Sequence, residues 1–190
     1  MRVGILLFDD VEEMDFAGPF EVFGVASNFT DKIKILTVSK DGRLIQGRHG
    51  LKVQPDCGFS ECSPLDLLIV PGRRGARERA MHDPETLEFV RAQASKGHVA
   101  SVCTGALVLA EAGLLKGHKA TTHHAHFESL SRYPNVTVLR GTRYAREKGV
   151  STSAGISAGI DLALAIVRDE FGQKIFDEVL KEMEYETRGS

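Results

Sequence analysis

No apolar run in this chain approaches the ~18 to 20 residues that a membrane-spanning helix needs. No transmembrane segment is therefore expected. The N-terminus, MRVGILLFDD, has only a short apolar run before two acids, so it reads as a first strand and not as a signal peptide. Cysteine is scarce: Cys57, Cys62 and Cys103 are all there is. An odd count without framework spacing argues against a disulfide scaffold and for a reducing, cytoplasmic setting. Charge of one sign is missing too. Lys and Arg number 24 against 26 Asp and Glu, a net charge of −2, so neither nucleic acid nor a membrane surface is expected as a partner. There is no P-loop and no GxGxxG after a strand, so nucleotide binding lacks its phosphate cradle. No internal repeat, linker or low-complexity segment divides the chain. What remains is 190 residues, 42% hydrophobic and 26% charged. That is an ordinary globular composition, read as one domain over 1–190 with room for a substantial core.

The chain is organised around HVASVCTGALVLAEAGLL, residues 98–115. Residues 99–102 are β-formers, and 106–115 are rich in Ala and Leu and read as a helix closing at Gly113 or Gly117. Cys103, followed by Thr104 and Gly105, falls on the turn between them. A side chain on so sharp a strand-to-helix turn is pushed out beyond the sheet, as in a nucleophile elbow. The unpaired N–H groups and partial positive charge of a helix start would favour a thiolate there. The plainer alternative is a small buried core residue.

Apolar strands are expected at 2–8, 32–39 and 65–70, with shorter ones at 119–122 and 135–139. Residues 40–43 read as a hairpin turn, with antiparallel strands at 44–46 and 51–54. Residues 57–64 read as a loop or short helix. Pro19 suits the first turn of a helix continuing over 20–26. Asp83 is placed to cap a helix running to about 95. HHAHFESLSR, residues 123–132, reads as a helix that includes the histidines, a hairpin spans 142–152, and helices are expected at 154–171 and 172–185, with a frayed tail at 187–190. Strands alternating with helices mean βαβ units. The fold class is therefore α/β: a three-layer sandwich, flavodoxin-like, with a mostly parallel sheet and helices on both faces. Ligand sites in such folds lie beyond the carboxyl ends of the strands. The loops at 8–15, 71–77 and 103–105 should converge there.

A thiol enzyme needs a nucleophile, a proton-handling group and donors for developing negative charge. Cys103 is the candidate nucleophile. Asp15, between Met14 and Phe16, is either a desolvated carboxyl that handles a proton or an N-cap for the following helix. Glu12 and Glu13 read as solvated. Backbone N–H groups of Thr104 and of the turn at Gly72 or Arg73 are candidate oxyanion donors. His123 is a candidate site histidine; with His124 and His126 it invites a metal reading, but no third ligand is evident and no metal is expected. Arg73, Arg74, Arg77 and Arg79 form a basic cluster that reads as solvated loop or, beside a site, as an attractor of anions.

Four stretches carry a resemblance over nearly the whole chain: VGILLFDDVEEMDFAGPFEVF, LDLLIVPGRRGAR, SVCTGALVLAEAGLLKGHKATTHH and STSAGISAGIDLALAIV. Together they resemble the DJ-1/PfpI superfamily of glutamine-amidotransferase-like fold, above all its isonitrile hydratase branch; the N-terminal domains of AraC-type regulators are similar. The resemblance implies that Cys103 is the elbow nucleophile and Asp15 the facing acid. It implies Thr104 after the nucleophile where the protease branch has histidine, and Arg73 where the usual turn has a second glycine. His123 matches a histidine whose role varies among branches. It further implies conversion of an isonitrile to an N-formamide through a thioimidate on Cys103, with Thr104 as a catalytic residue that positions water or the Asp15 carboxyl, a small-molecule substrate, no cofactor, and a homodimer. Two other readings stay open: a non-enzymatic ligand-binding or oxidation-sensing protein, and a glyoxalase- or amidase-like hydrolase. No helix-turn-helix segment is present, so DNA binding in cis is not expected.

Overall fold

The structure, a computed structural model, describes residues 1–187. In chain order the strands are β1 (Arg2–Leu6), β2 (Lys34–Ser39), β3 (Ile45–Gln46), β4 (Lys52–Val53), β5 (Cys57–Gly58), β6 (Leu67–Val70), β7 (His98–Ser101), β8 (Lys119–Ala120), β9 (Thr137–Val138), β10 (Tyr144–Glu147) and β11 (Val150–Ser153). The helices are α1 (Glu13–Ser27), α2 (Arg74–Glu78), α3 (Pro84–Ala94), α4 (Gly105–Glu111), α5 (Phe127–Ser131), α6 (Ala158–Phe171) and α7 (Gln173–Glu182). A seven-stranded sheet runs in the order β10-β11-β7-β6-β1-β2-β5. Its ladders are parallel except for β10 against β11.

The period of two in the central strands sorts the core into two faces. Val3, Ile5, Leu67, Ile69 and Ala100 point toward Phe16 and Phe23 of α1, Leu162 of α6 and Val179 of α7. Leu6, Leu68, Val70 and Val99 point the other way, toward Phe89 of α3, Leu107 and Leu109 of α4 and Leu130 of α5. Strands buried on both faces have to be apolar at every position. VGIL and LLIV are. No helix among the described residues is long and apolar enough to cross a membrane.

Asp83 caps α3 as its position before Pro84 implies: its carboxylate accepts from Thr86 N at 3.1 Å and from Thr86 Oγ1 at 2.6 Å. Several boundaries differ from the expectation. Helix α1 begins at Glu13, so Pro19 lies inside it and not in its first turn. Residues 40–43 do not join a hairpin, because β2 pairs with β1 and β5 whereas β3 pairs with β4. Within 57–64, Cys57 and Gly58 form an edge strand. The Asp56 carboxylate secures it, accepting from Thr37 N at 2.7 Å and from Thr37 Oγ1 at 2.8 Å. Such a pairing depends on a distant partner and leaves no pattern in two residues. His123 precedes a 3-10 turn, and the α-helix starts only at Phe127. The last long helix starts at Ala158 and not at 154, because Ile156 takes a left-handed φ of 51°. The expected tail lies outside the described residues apart from Thr187.

Candidate active site

Strands β1, β6 and β7 are neighbours, so the loops that follow them meet at one end of the sheet. Glu12 N donates to Gly72 O at 3.3 Å, and Gly75 N donates to Asp10 O at 3.1 Å. Cys103 follows β7 with φ of 56°, the left-handed conformation that a non-glycine residue takes only when its surroundings over-determine it. Here they do. Cys103 N donates to Ala154 O at 3.1 Å, and Thr122 Oγ1 donates to Cys103 O at 2.8 Å. The helix beyond is pressed onto β6: a Cβ added at Gly105 would lie 2.0 Å from Val70 O.

Cys103 and Asp15 are both fully buried. The Asp15 side chain does not cap α1. It reaches across to the turn after β6, where Gly72 N donates to its Oδ2 at 3.0 Å. Its Oδ1 has no hydrogen-bond partner among the described residues, and the Cys103 thiol is near enough to influence it. Burial lifts the Asp15 carboxyl to about 7, with the Glu12 charge adding to the rise. The Gly72 amide, Cys103 and Arg73 act in the opposite sense. Near neutral pH this carboxyl therefore exchanges its proton readily.

The thiol departs from the expectation of a stabilised thiolate. Burial, and then the charge of Asp15, push Cys103 up to about 12. The amides of Thr104 and Ile156 and the charge of Arg73 pull the other way but are outweighed. Desolvating an anion costs more here than the helix start returns. Alkylation of Cys103, followed by mass spectrometry, should accordingly keep rising with pH through pH 9 without a plateau. A plateau near pH 7 would show that the elbow amides prevail over Asp15.

The turn amides offered as oxyanion donors are already engaged. Gly72 N serves Asp15, and Arg73 N donates to Thr104 Oγ1 at 2.6 Å. The Thr104 hydroxyl in turn donates to Arg73 O at 3.2 Å. It therefore braces the turn, and its remaining capacity to hold water or the Asp15 carboxyl is small. The amides that face the sulfur are those of Thr104 and Ile156. Nothing in the sequence pattern marks Ile156 beyond Gly155 in SAGIS, ahead of an apolar helix.

Arg73 stands at φ of 87°, a glycine conformation. Its guanidinium Nε lies 3.2 Å from Glu12 Oε2. Glu12 is thus buried and paired, not solvated. Glu13 is likewise engaged: its carboxylate accepts from His49 N at 2.6 Å and lies 2.7 Å from His49 Nδ1. Glu12, Glu13 and His49 form the one grouping with metal-like proximity among the described residues, and these contacts occupy it. His123 packs on Gly155, where an added Cβ would lie 2.3 Å from its ring. Its ring nitrogen Nδ1 accepts from Ala125 N at 3.3 Å. Burial, and then neighbouring His124 and Arg73, hold His123 below the usual imidazole range, so it is neutral at pH 7.

Comparison with known proteins identifies the family. The profile of the DJ-1/PfpI family matches residues 1–169. The chain is 36% identical to isonitrile hydratase of Pseudomonas putida over 97% of its own length and 78% of the relative's. It is 29% identical to the HTH-type transcriptional regulator GbdR of Pseudomonas aeruginosa over 97% of its length, spanning only 50% of that protein. A ThiJ/PfpI family protein from Pseudomonas syringae superposes with a TM-score of 0.90 at 29% identity, covering 99% of this chain and 76% of the other. By sequence and by fold, the chain belongs to the DJ-1/PfpI family.

Proposed function

We propose that the chain is an isonitrile hydratase-like enzyme, a hydro-lyase that converts R–N≡C to R–NH–CHO on Cys103. The observation that carries this reading is the burial of the Cys103 thiol and of an Asp15 carboxyl lifted to about 7 that feels it. The similarity to isonitrile hydratase over most of both chains supports it.

The raised thiol changes how the nucleophile forms. No standing thiolate is needed. The Asp15 carboxylate takes the thiol proton as sulfur bonds to the terminal isonitrile carbon, and then delivers it to that carbon. One S–H bond breaks, while one S–C and one C–H bond form. The product is a thioimidate, R–N=CH–S–Cys103. The amides of Thr104 and Ile156 steady charge on sulfur during the transfer. Asp15, again a carboxylate, deprotonates a water that adds to the same carbon while the nitrogen gains a proton. Collapse of R–NH–CH(OH)–S–Cys103 breaks the C–S bond, and the hydroxyl proton returns to sulfur. The sum is one isonitrile plus one water to one formamide.

The test is formamide release from a simple aryl isonitrile, quantified by chromatography, in wild type and Cys103→Ala. Loss of all turnover above background in the variant is expected. Retained turnover in Cys103→Ala sinks the scheme. No turnover in either, with methylglyoxal consumed by wild type alone, would favour a glyoxalase-like hydrolase.

A further inference from the structure

Beside the elbow lies a cleft of about 390 Å³ whose walls carry Arg77 of α2, Arg132, His126 and Tyr133, with Leu107 of α4 and Met81 as its apolar side. Its chemistry is one-sided, for no carboxylate lines it. The nearby acids already have partners, Tyr133 of the cleft wall among them. Glu78 pairs with Arg74 at 2.7 Å, Glu111 accepts from Tyr133 Oη at 2.8 Å, and Glu128 pairs with Arg140. Among the described residues neither Arg77 nor Arg132 has an ion-pair partner. Arg77 is the more telling of the two, because its Nε is buried and unpartnered. A buried guanidinium donor without an acceptor is costly unless a ligand supplies one.

The cleft adjoins the candidate active site along two elements. Leu107 stands one helical turn beyond the elbow, its N–H bonded to Thr104 O at 3.0 Å. The His126 ring lies 6.0 Å, centroid to centroid, from that of His123, which packs on Gly155 next to the Ile156 amide that faces the sulfur. The charges of Arg73 and Arg77 both reach His123 and His126.

We infer that the cleft is an anion subsite, with Arg77 and Arg132 receiving the carboxylate of a small organic acid whose other end reaches Cys103. The apolar wall of Leu107 and Met81 suits the carbon body of such a molecule better than a free inorganic ion. The proposal deepens the hydratase reading and rests on it in naming the substrate an isonitrile that bears a carboxylate.

Binding tests the subsite without turnover. Benzoate and its neutral counterpart benzamide would be titrated calorimetrically into wild type, Arg77→Gln, Arg77→Lys and Arg132→Gln. Benzoate should bind about tenfold more tightly than benzamide. That preference should fall in both Gln variants, survive in Arg77→Lys, and shrink as salt is added. Equal binding of the two compounds, or a preference kept by both Gln variants, overturns the subsite. Binding of inorganic phosphate with none of benzoate overturns the organic-acid class.

A kinetic arm then compares para-isocyanobenzoate with phenyl isonitrile. The charged compound should show about tenfold higher kcat/KM, and the ratio should fall in Arg77→Gln. Equal kcat/KM for both overturns the link to Cys103. Turnover of neither, with benzoate still bound through Arg77, refutes the hydratase reading and leaves the anion subsite standing.

Discussion

Asp15→Asn should lower formamide production by a factor on the order of 10² to 10⁴ and, above neutral pH, make the protein more stable. Both effects come from one property. Burial lifts the Asp15 carboxyl to about 7 in the folded protein, whereas in the unfolded chain it titrates near 3.9. Between those values the folded state holds more protons than the unfolded state, so stability falls as pH rises through that window. Above pH 7 the folded protein carries the full cost of a buried carboxylate, on the order of 2–4 kcal/mol. Asparagine removes the charge and keeps an oxygen that can accept from Gly72 N, as Asp15 Oδ2 does at 3.0 Å.

Urea unfolding of wild type and Asp15→Asn at pH 5 and pH 8 measures this. The variant's advantage should be larger at pH 8. The wild-type pH–rate profile supplies the complementary measurement, because the reactive state shares one proton between Asp15 and Cys103. As pH falls through about 7 that state gains a second proton and kcat/KM drops. No alkaline limb is expected below pH 9, since the thiol is pushed up to about 12. An Asp15→Asn protein less stable than wild type at pH 8, or an acid limb near 4, would show that the carboxyl is solvated.

The second large effect is steric. Gly105→Ala should destabilise the fold by more than ~3 kcal/mol or prevent folding. The added methyl would lie 2.0 Å from Val70 O and 2.8 Å from Pro71 O. Both are backbone atoms at the end of β6, so no rotamer change relieves the contact. Either the elbow helix lifts from the sheet, or β6 moves and takes with it the turn that holds Asp15 and Thr104. Gly24→Ala is the control of opposite sign. Gly24 lies within α1, and an added Cβ meets nothing closer than Ile35 Cδ1 at 4.0 Å. That substitution should stabilise by up to ~1 kcal/mol. Thermal unfolding of the two variants should separate them in opposite directions from wild type. A Gly105→Ala protein with wild-type melting would mean that the elbow has slack.

Local pattern alone carried the layers of this fold. VGIL and LLIV have to be strands buried on both faces, and strands of that kind separated by helices yield a parallel sheet. Cys103 between a β-run and an Ala-rich helix could only be a sharp turn. Asp83 before Pro84 is the local signal of a helix start, and its carboxylate caps α3. Each of these is decided by residues within one turn of one another. Tertiary structure decided what depends on distant groups. Glu12 read as solvated because nothing local pairs it; Arg73, brought over from the next strand end, does. The thiol of Cys103 read as a stabilised anion because the helix start is local, while the burial and the Asp15 charge that outweigh it come from the packed sheet end. Ile156 entered the site because the loop before α6 folds back over the elbow, bringing an amide to the sulfur across more than 50 residues of chain. A sequence displays the groups that titrate or donate; only packing sets the desolvation and the partners that determine which way each proton moves.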